Sequence, residues 1–152
     1  ARHGDTEWTD ARRKTGRTDL PLNERGDQRA RQMGARLRQF SFVQVFTSPL
    51  LRASRTSELA GYSNVAVADS DLVEWHYGDY EGKLSAEIYQ DRPGWELFCD
   101  GCPGGESPQD VAGRADRFIS RVLQADGDVL AFSSGHIKPL RQPQQPRMLI
   151  RL

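Results

Sequence analysis

Apolar residues recur along this chain with two different spacings, one typical of helices and one typical of strands. Helical spacing extends over residues 23–40, where Asn23 is a candidate N-cap, and over the segment that begins at Ser107-Pro108. In the second segment one face collects the apolar side chains Val111, Ala115, Phe118, Ile119 and Val122. The two patterns predict two amphipathic helices.

Three short segments rich in β-branched or aromatic residues predict strands, at residues 42–46, 65–67 and 128–132. The last one is continuously apolar, which is typical of a strand covered on both faces. Ser48-Pro49 comes after the first strand. We expect Ser48 to cap a third helix, with the proline at its first position and Gly61 just beyond its end.

The alternation of strands and helices predicts the fold class. It requires crossover connections and favours a parallel sheet. We therefore predict an α/β fold, a three-layer sandwich with a mostly parallel central sheet and helices on both faces, as a single domain over residues 1–152. Residues 138–152 have no period and are expected to form an irregular tail.

Polar residues follow two of the predicted strands. Arg52 comes after the strand at 42–46, and Ser133-Ser134-Gly135-His136 comes after the strand at 128–132. Ligands of such sheets bind at the carboxyl ends of the strands. These polar residues therefore mark the expected edge of a binding site.

Composition and charge exclude several classes of function. The 152 residues include 21 basic and 21 acidic side chains, so the net charge is zero, which argues against a nucleic-acid-binding protein. No apolar run approaches the roughly 20 residues that a spanning helix needs, and the start of the chain has no signal-peptide pattern. We expect a cytoplasmic protein with neither a membrane nor a nucleic-acid partner.

The two cysteines, Cys99 and Cys102, form a C-x-x-C pair. Half a zinc site, a redox pair and two ordinary thiols would all give this spacing. Zinc needs two further ligands, and the three histidines lack ligand spacing. A redox pair normally lies at the start of a helix, whereas Pro103-Gly104-Gly105 is found here. Two ordinary thiols are favoured, and no metal is expected.

The candidate chemistry lies at the start of the chain, in Arg2-His3-Gly4. A neutral histidine can accept a phosphoryl group if fixed cations surround the phosphate oxygens. Arg2 is the first candidate cation, because its planar guanidinium can meet two phosphate oxygens at once. A surface loop could carry the same three residues. The motif alone is therefore a weak indication of catalysis, and the interpretation depends on the features found further along the sequence.

Five blocks of sequence closely resemble, in order, the histidine phosphatase superfamily, also called the phosphoglycerate mutase-like family. They are residues 2–8, 16–22, 48–53, 74–82 and 101–107. The short spacing from Gly82 to Ser107 is similar to that of the small phosphatase branch, which includes sugar bisphosphatases and broad acid phosphatases. The mutases carry a longer insertion at this point.

The resemblance implies a role for each matching residue. His3 matches the histidine that is transiently phosphorylated, and Glu74 matches the acid that protonates the leaving oxygen. Arg2 and Arg52 match the two arginines that clamp the phosphoryl group. The positions expected to contact the substrate or the phosphate are Thr9, Thr15, Gly16, Tyr77, Ser134 and His136. The resemblance implies neither a metal nor an organic cofactor.

The chain also departs from the family. Ser134 stands where the family has a histidine that is a further phosphate ligand. Serine is shorter and cannot be cationic, and His136 lies two residues further on, so we do not expect His136 to replace that histidine fully. The family has an apolar strand before Arg-His-Gly and further helices and strands after its last motif. We therefore expect this chain to lack the first strand and the C-terminal elements.

Together these features predict a phosphomonoesterase of the histidine acid phosphatase type. It would hydrolyse small phosphorylated metabolites through a phosphohistidine intermediate on His3. Two alternatives stay open: a phosphate-binding member of the fold whose catalysis is impaired by Ser134, and a phosphoglycerate mutase. The sequence leaves open whether the protein forms a homodimer.

Overall fold

A three-stranded parallel sheet lies at the centre of the protein, in a computed structural model that describes residues 1–136. The strands are β1 (Gln44–Thr47), β2 (Ala66–Ala68) and β3 (Val129–Phe132), in the order β2-β1-β3. Val45 of β1 lies opposite Ala66 on one side and Leu130 on the other. The predicted parallel sheet is confirmed, and the predicted tail at 138–152 lies outside the described residues.

Six α-helices are found within residues 1–136: α1 (Glu7–Asp10), α2 (Glu24–Leu37), α3 (Leu51–Ser57), α4 (Ser85–Asp91), α5 (Leu97–Asp100) and α6 (Pro108–Val122). A π-helical turn continues from α3, and two 3₁₀ turns lie at Ser70–Leu72 and Gly78–Tyr80. The helices α2, α3 and α6 confirm the three that were predicted. The other three are too short for an amphipathic period to reveal them. No helix among the described residues combines the length and the apolar character needed to cross a membrane.

Helices cover both faces of the sheet. One face carries a buried cluster of Val45, Ala60, Leu130 and Phe132. Met33 and Leu37 of α2 pack against this cluster. Phe46 of β1 contacts Phe118 of α6 instead, with ring centroids 5.4 Å apart. Because successive residues of a strand point to opposite faces, α2 and α6 lie on opposite sides of the sheet, which confirms the three-layer sandwich.

The N-caps of the long helices agree with the sequence, but that of α3 does not. The Asn23 side chain accepts a hydrogen bond from the Gly26 N–H at 2.8 Å at the start of α2, and Ser107 caps α6. The prediction that Ser48 caps α3 is wrong, because α3 begins only at Leu51. The Leu51 N–H donates instead to an Asp19 carboxylate oxygen at 2.7 Å. A side chain from a distant loop therefore supplies the acceptor that local sequence assigned to the serine.

The first three residues lie beside the carboxyl end of β3. The His3 N–H donates to the Ser133 carbonyl at 2.9 Å, and the Ser133 N–H donates to the Ala1 carbonyl at 2.9 Å. Arg2 forms a parallel bridge with Ser133. This pairing continues the parallel order of the sheet and places His3 next to the residues that come after β3.

A second buried cluster lies under residues 75–80. It contains Trp75, Tyr77, Tyr80, Ile88, Trp95, Leu97, Cys102 and Val111. The Trp75 indole N–H donates to the Glu106 carbonyl at 2.9 Å, and the Trp95 indole N–H donates to the Gly101 carbonyl at 2.8 Å. The buried aromatic rings therefore fix the loop that carries Glu74 and Tyr77.

Gly34 of α2 lies in close contact with a neighbouring turn, whereas Gly113 of α6 faces open space. A Cβ at Gly34 would lie 2.5 Å from the Ala60 carbonyl oxygen, whereas a Cβ at Gly113 of α6 would meet nothing nearer than Arg117 at 3.9 Å. We expect Gly34→Ala to lower the free energy of unfolding by about 1–3 kcal/mol, the usual cost of overpacking. Gly113→Ala should raise it by up to about 1 kcal/mol through helix propensity. Urea unfolding of both variants measures the difference, and effects of the same sign would contradict the close contact at Gly34.

Candidate active site

His3 is buried at the carboxyl edge of the sheet, with 9% of its surface exposed. Its Nδ1 lies 2.7 Å from the Gly4 carbonyl oxygen. A carbonyl only accepts, so Nδ1 carries the proton and Nε2 keeps a free lone pair. Burial lowers the pKa of His3 to about 4; the charges of Arg52 and Arg2 act in the same direction, against the Gly4 hydrogen bond and the charge of Glu74. The imidazole is therefore neutral near pH 7, in the form that can attack phosphorus.

The backbone after His3 is held tightly between two helices. The Gly4 N–H donates to the Thr56 hydroxyl of α3 at 3.0 Å. A Cβ at Gly4 would lie 2.5 Å from the Gly26 carbonyl oxygen of α2. Only glycine fits this approach, so α2 and α3 together fix the position of His3.

Arg52 of α3 is fully buried. One terminal nitrogen donates to the Thr18 carbonyl at 3.0 Å and the other donates to the Gly16 carbonyl at 2.6 Å. Within residues 1–136 its Nε has no hydrogen-bond partner, and no carboxylate lies within ion-pair distance of it. Burial lowers the pKa of Arg52, while the negative charge of Glu74 opposes that shift. A buried cation without a direct counter-ion is unfavourable, so the site favours a bound anion.

Glu74 is buried and ties its own loop to the residues after β3. One carboxylate oxygen accepts from the Trp75 N–H at 2.8 Å. The other accepts from the backbone N–H groups of Gly135 at 3.1 Å and His136 at 3.3 Å. Burial alone would raise the pKa of Glu74, but the hydrogen bonds and the charge of His136 outweigh it and lower the pKa. Glu74 is therefore ionised at neutral pH when no substrate is bound.

Tyr77 and His136 form a polar contact beside Glu74. The Tyr77 hydroxyl lies 2.9 Å from Nδ1 of His136, and this same nitrogen lies 3.5 Å from a Glu74 carboxylate oxygen. Tyr77 is buried, and burial raises its pKa well above the ordinary value, so the phenol keeps its proton. His136 is thus held between a neutral hydroxyl and a carboxylate.

The hydroxyl of Ser134 is buried and has no hydrogen-bond partner within residues 1–136. A buried donor without an acceptor is costly in free energy. An oxygen atom of a bound anion would be a suitable acceptor. The residue that departs from the family therefore still offers a polar group at the site.

Arg2 occupies the open side of the site, where its side chain is exposed. A Cβ at Gly135 would lie 3.6 Å from the Arg2 Nε, so the side chain runs along the loop after β3. The charge of Arg2 adds to the effect of burial that lowers the pKa of His3, and it opposes the effect of burial that raises the pKa of Tyr77. The exposed Arg2 and the buried Arg52 therefore both act on His3.

Three other predicted contact residues have their polar groups engaged within the protein. The Thr9 hydroxyl donates to the Thr6 carbonyl at 2.8 Å as part of the capping box of α1. The Thr15 hydroxyl donates to the Arg13 carbonyl at 3.1 Å. The carbonyl of Gly16 accepts from Arg52. The substrate contacts assigned to Thr9, Thr15 and Gly16 stay predictions.

Sequence reasoning missed a largely buried ion pair that supports the Glu74 loop. Arg114 donates to the two carboxylate oxygens of Glu106 at 2.9 and 3.1 Å and to the Asp71 carbonyl at 3.0 Å. Glu106 in turn accepts from the His76 N–H at 2.7 Å. No hydrophobic period marks these residues. The available signal for Glu106 was its place in the block at 101–107.

Sequence reasoning also gave no role to Glu81. One of its carboxylate oxygens accepts from the N–H groups of Gly16 at 2.7 Å and Thr18 at 3.1 Å. The available signal for Glu81 was its place in the block at 74–82. The contact itself joins two loops that are far apart in the sequence.

The described residues contain no cluster of three or more histidine, cysteine or carboxylate side chains arranged to hold a metal ion. Both cysteines are free thiols, with Cys99 exposed and Cys102 buried. Burial raises the pKa of Cys102 to about 11, so this thiol stays protonated near pH 7.

Comparisons with known proteins relate the sequence to phosphate-handling enzymes. The model of the histidine phosphatase superfamily (branch 1) matches residues 1–140. Sedoheptulose 1,7-bisphosphatase of Saccharomyces cerevisiae is 36% identical over 89% of this chain and 62% of its own length. An acid phosphatase of Mycobacterium tuberculosis is 37% identical over 89% of this chain and 68% of its own length. A probable phosphoglycerate mutase of Salmonella choleraesuis is 33% identical over 81% of this chain and 61% of its own length.

Solved structures share the fold. The structure of an open reading frame from Mycobacterium tuberculosis superposes with a TM-score of 0.85 at 36% identity, covering 90% of this chain and 72% of that one. The chain spans only 62% of the yeast relative and 61% of the Salmonella relative. The similarity therefore covers the sheet, the flanking helices and the site described above, but not the whole length of those proteins.

The low pKa of His3 predicts how stability depends on pH. Burial lowers that pKa from 6.5 to about 4, so between these values the unfolded chain binds a proton that the folded protein does not. This contribution to stability is fully present above about pH 6.5 and is lost as the pH falls toward about 4. When the pH falls from about 7 to about 4.5, the free energy of unfolding of His3→Asn should therefore fall by roughly 2–3 kcal/mol less than that of the wild type. Urea unfolding measures both, and an equal loss would contradict the low pKa.

Proposed function

This chain belongs to the histidine phosphatase superfamily, and we propose that it is a phosphomonoesterase that hydrolyses small phosphorylated metabolites through a phosphohistidine on His3. The observation that carries the proposal is a neutral, buried imidazole close to a fully buried guanidinium that has no direct carboxylate partner within residues 1–136. Such a pair combines a nucleophile with a cation for the oxygens of the transferring group.

In the first step, Nε2 of His3 attacks phosphorus and the ester P–O bond breaks. The Nε2 lone pair forms the new N–P bond, and the electrons of the broken bond leave with the alkoxide. Arg52 and Arg2 neutralise the charge on the phosphoryl oxygens. Glu74 gives its proton to the leaving oxygen, so the first product is a neutral alcohol.

The proton on Glu74 must arrive with the substrate, because the carboxylate is ionised in the free protein. The second pKa of a phosphate monoester is about 6, so about a tenth of the free substrate is the monoanion at pH 7, and a larger share at lower pH. The negative phosphate also raises the pKa of a nearby carboxylate. A proton carried in by the monoanion would therefore settle on Glu74 before the ester bond breaks.

In the second step, water attacks the phosphorus of phosphohistidine and the N–P bond breaks. The electrons of that bond return to Nε2 as its lone pair. Glu74, ionised after the first step, takes a proton from the attacking water. Inorganic phosphate leaves, and His3 returns to its neutral form with Nδ1 still hydrogen-bonded to the Gly4 carbonyl.

A second candidate function is phosphate-ligand binding without turnover, and Ser134 is the observation that favours it. Its neutral hydroxyl replaces a side chain that would be cationic when protonated, so the transition state has one charge fewer to stabilise it. A mutase is the third candidate. It would return the phosphoryl group from His3 to a second hydroxyl of the substrate instead of to water.

A panel of phosphate esters tests the proposed function. It should include sugar phosphates and bisphosphates, phosphoglycerates and an aryl phosphate, with release of inorganic phosphate as the measurement. We expect turnover of at least one ester, and loss of that turnover to background in His3→Asn, because asparagine cannot accept the phosphoryl group. In single turnovers with enzyme in excess, Glu74→Gln should slow release of the leaving alcohol from alkyl esters by about 10²–10⁴ and nearly spare release of the phenol from the aryl ester, whose leaving group needs no proton.

Several results would contradict the proposal. Activity that persists in His3→Asn would exclude His3 as the nucleophile. Equal losses in the single-turnover release of the alkyl and aryl leaving groups in Glu74→Gln would exclude the general-acid role. Binding of phosphate esters without release of phosphate would favour the binding-only function, and an isomerised ester would favour the mutase.

A further inference from the structure

The loop at 16–18 is held on two sides by opposite charges. Its Gly16 and Thr18 carbonyl groups accept from the two terminal nitrogens of Arg52, at 2.6 and 3.0 Å. Its Gly16 and Thr18 N–H groups both donate to one carboxylate oxygen of Glu81, at 2.7 and 3.1 Å. The same two residues therefore connect the carboxylate of Glu81 to the guanidinium of Arg52.

The loop packs closely against Trp75 and Glu81 at Gly16. A Cβ at Gly16 would lie 2.3 Å from the Trp75 carbonyl oxygen and 2.6 Å from the second carboxylate oxygen of Glu81. That second oxygen is buried and has no hydrogen-bond partner within residues 1–136. The hydrogen bonds of Glu81 are thus directed at the two N–H groups of the loop.

We propose that Glu81 is a positioning residue, which orients Arg52 toward the transferring phosphoryl group through the loop at 16–18. The proposal rests on the proposed function, since Arg52 matters for turnover only if a phosphoryl group binds there. With both terminal nitrogens fixed by carbonyl oxygens, the direction of the remaining donors, including the unpartnered Nε–H, is fixed as well.

The indirect connection has a chemical advantage over a direct ion pair. A carboxylate in contact with Arg52 would occupy the N–H groups that a phosphate needs. Glu81 instead supplies a negative charge nearby while the N–H groups of the guanidinium that the carbonyls leave unused stay available. Burial lowers the pKa of Arg52, and the negative charge of Glu81 offsets part of that shift.

A double-mutant cycle tests the proposal. We expect Arg52→Ala to lower kcat by about 10²–10³ and Glu81→Ala to lower it by about 10-fold to 10²-fold, equally on alkyl and aryl esters. In the Arg52→Ala background, Glu81→Ala should change kcat by less than about 3-fold, because a positioning residue has no effect once its target is gone. A residue that only stabilises the fold would cost the same factor in both backgrounds.

Conservative variants keep the test decisive. Glu81→Gln retains a carbonyl oxygen that can accept from both N–H groups and should recover most of the turnover. Glu81→Asp is too short to reach both, and replaces Glu81→Ala in the cycle if that variant does not fold.

The matched control is Glu87→Ala. Glu87 accepts from the Leu84 N–H at 2.6 Å at the start of α4 and, within residues 1–136, makes no hydrogen bond to the loop at 16–18 or to Arg52, so its loss should leave kcat unchanged.

The outcomes distinguish the positioning role from the proposed function. Equal losses for Glu81→Ala in the wild-type and Arg52→Ala backgrounds would overturn the positioning role and leave the proposed function intact. Wild-type turnover in Arg52→Ala would overturn the role of Arg52 itself, and the role of Glu81 with it. Urea unfolding of every variant shows that the comparison is made between folded proteins.

Discussion

The burial of the Arg52 guanidinium is the constraint on which the rest of the site depends. A charge inside a protein costs several kcal/mol unless other groups compensate it. Here the compensation comes from two backbone carbonyls and from carboxylates at a distance, while within residues 1–136 no carboxylate contacts the guanidinium. Arg52 lies on α3, and the loop at 16–18 supplies the two carbonyl groups that accept its hydrogen bonds. An anion would complete the arrangement, which supports the proposal that the substrate carries a phosphoryl group.

Burial, together with the nearby cations, keeps His3 neutral. Positive charge disfavours a second positive charge nearby, so Arg52 and Arg2 add to the effect of burial in keeping the imidazole neutral. A neutral imidazole is the form that can bond to phosphorus. The parallel sheet makes this combination possible, because Arg52 comes after β1 and the 134–136 segment comes after β3 at one edge. Residues 1–3 pair with that edge and bring His3 to it.

Much of the fold could be predicted from the sequence, because the helices α2 and α6 are long enough to display an apolar period and a cap. The polar residues after two strands predicted the edge at which the candidate site lies, the motif blocks predicted the roles of its residues, and the network behind it could not be predicted. Asp19 reaches α3 from 32 residues away, and Glu81 reaches Gly16 from 65 residues away. Such contacts depend on how loops meet in three dimensions, and no local pattern carries that information. The short helices α1, α4 and α5 escaped prediction because four to seven residues do not establish a period.

The proposed mechanism requires that His3 becomes covalently phosphorylated. This can be measured by rapid mixing with a ³²P-labelled substrate from the panel, an alkaline quench, and mapping of the protein-bound label to a peptide. The N–P bond of phosphohistidine is stable in alkali and hydrolyses in acid. We expect an alkali-stable, acid-labile label on the peptide that contains His3, and no label in His3→Asn. A label that resists acid, or one that persists in His3→Asn, would contradict the mechanism.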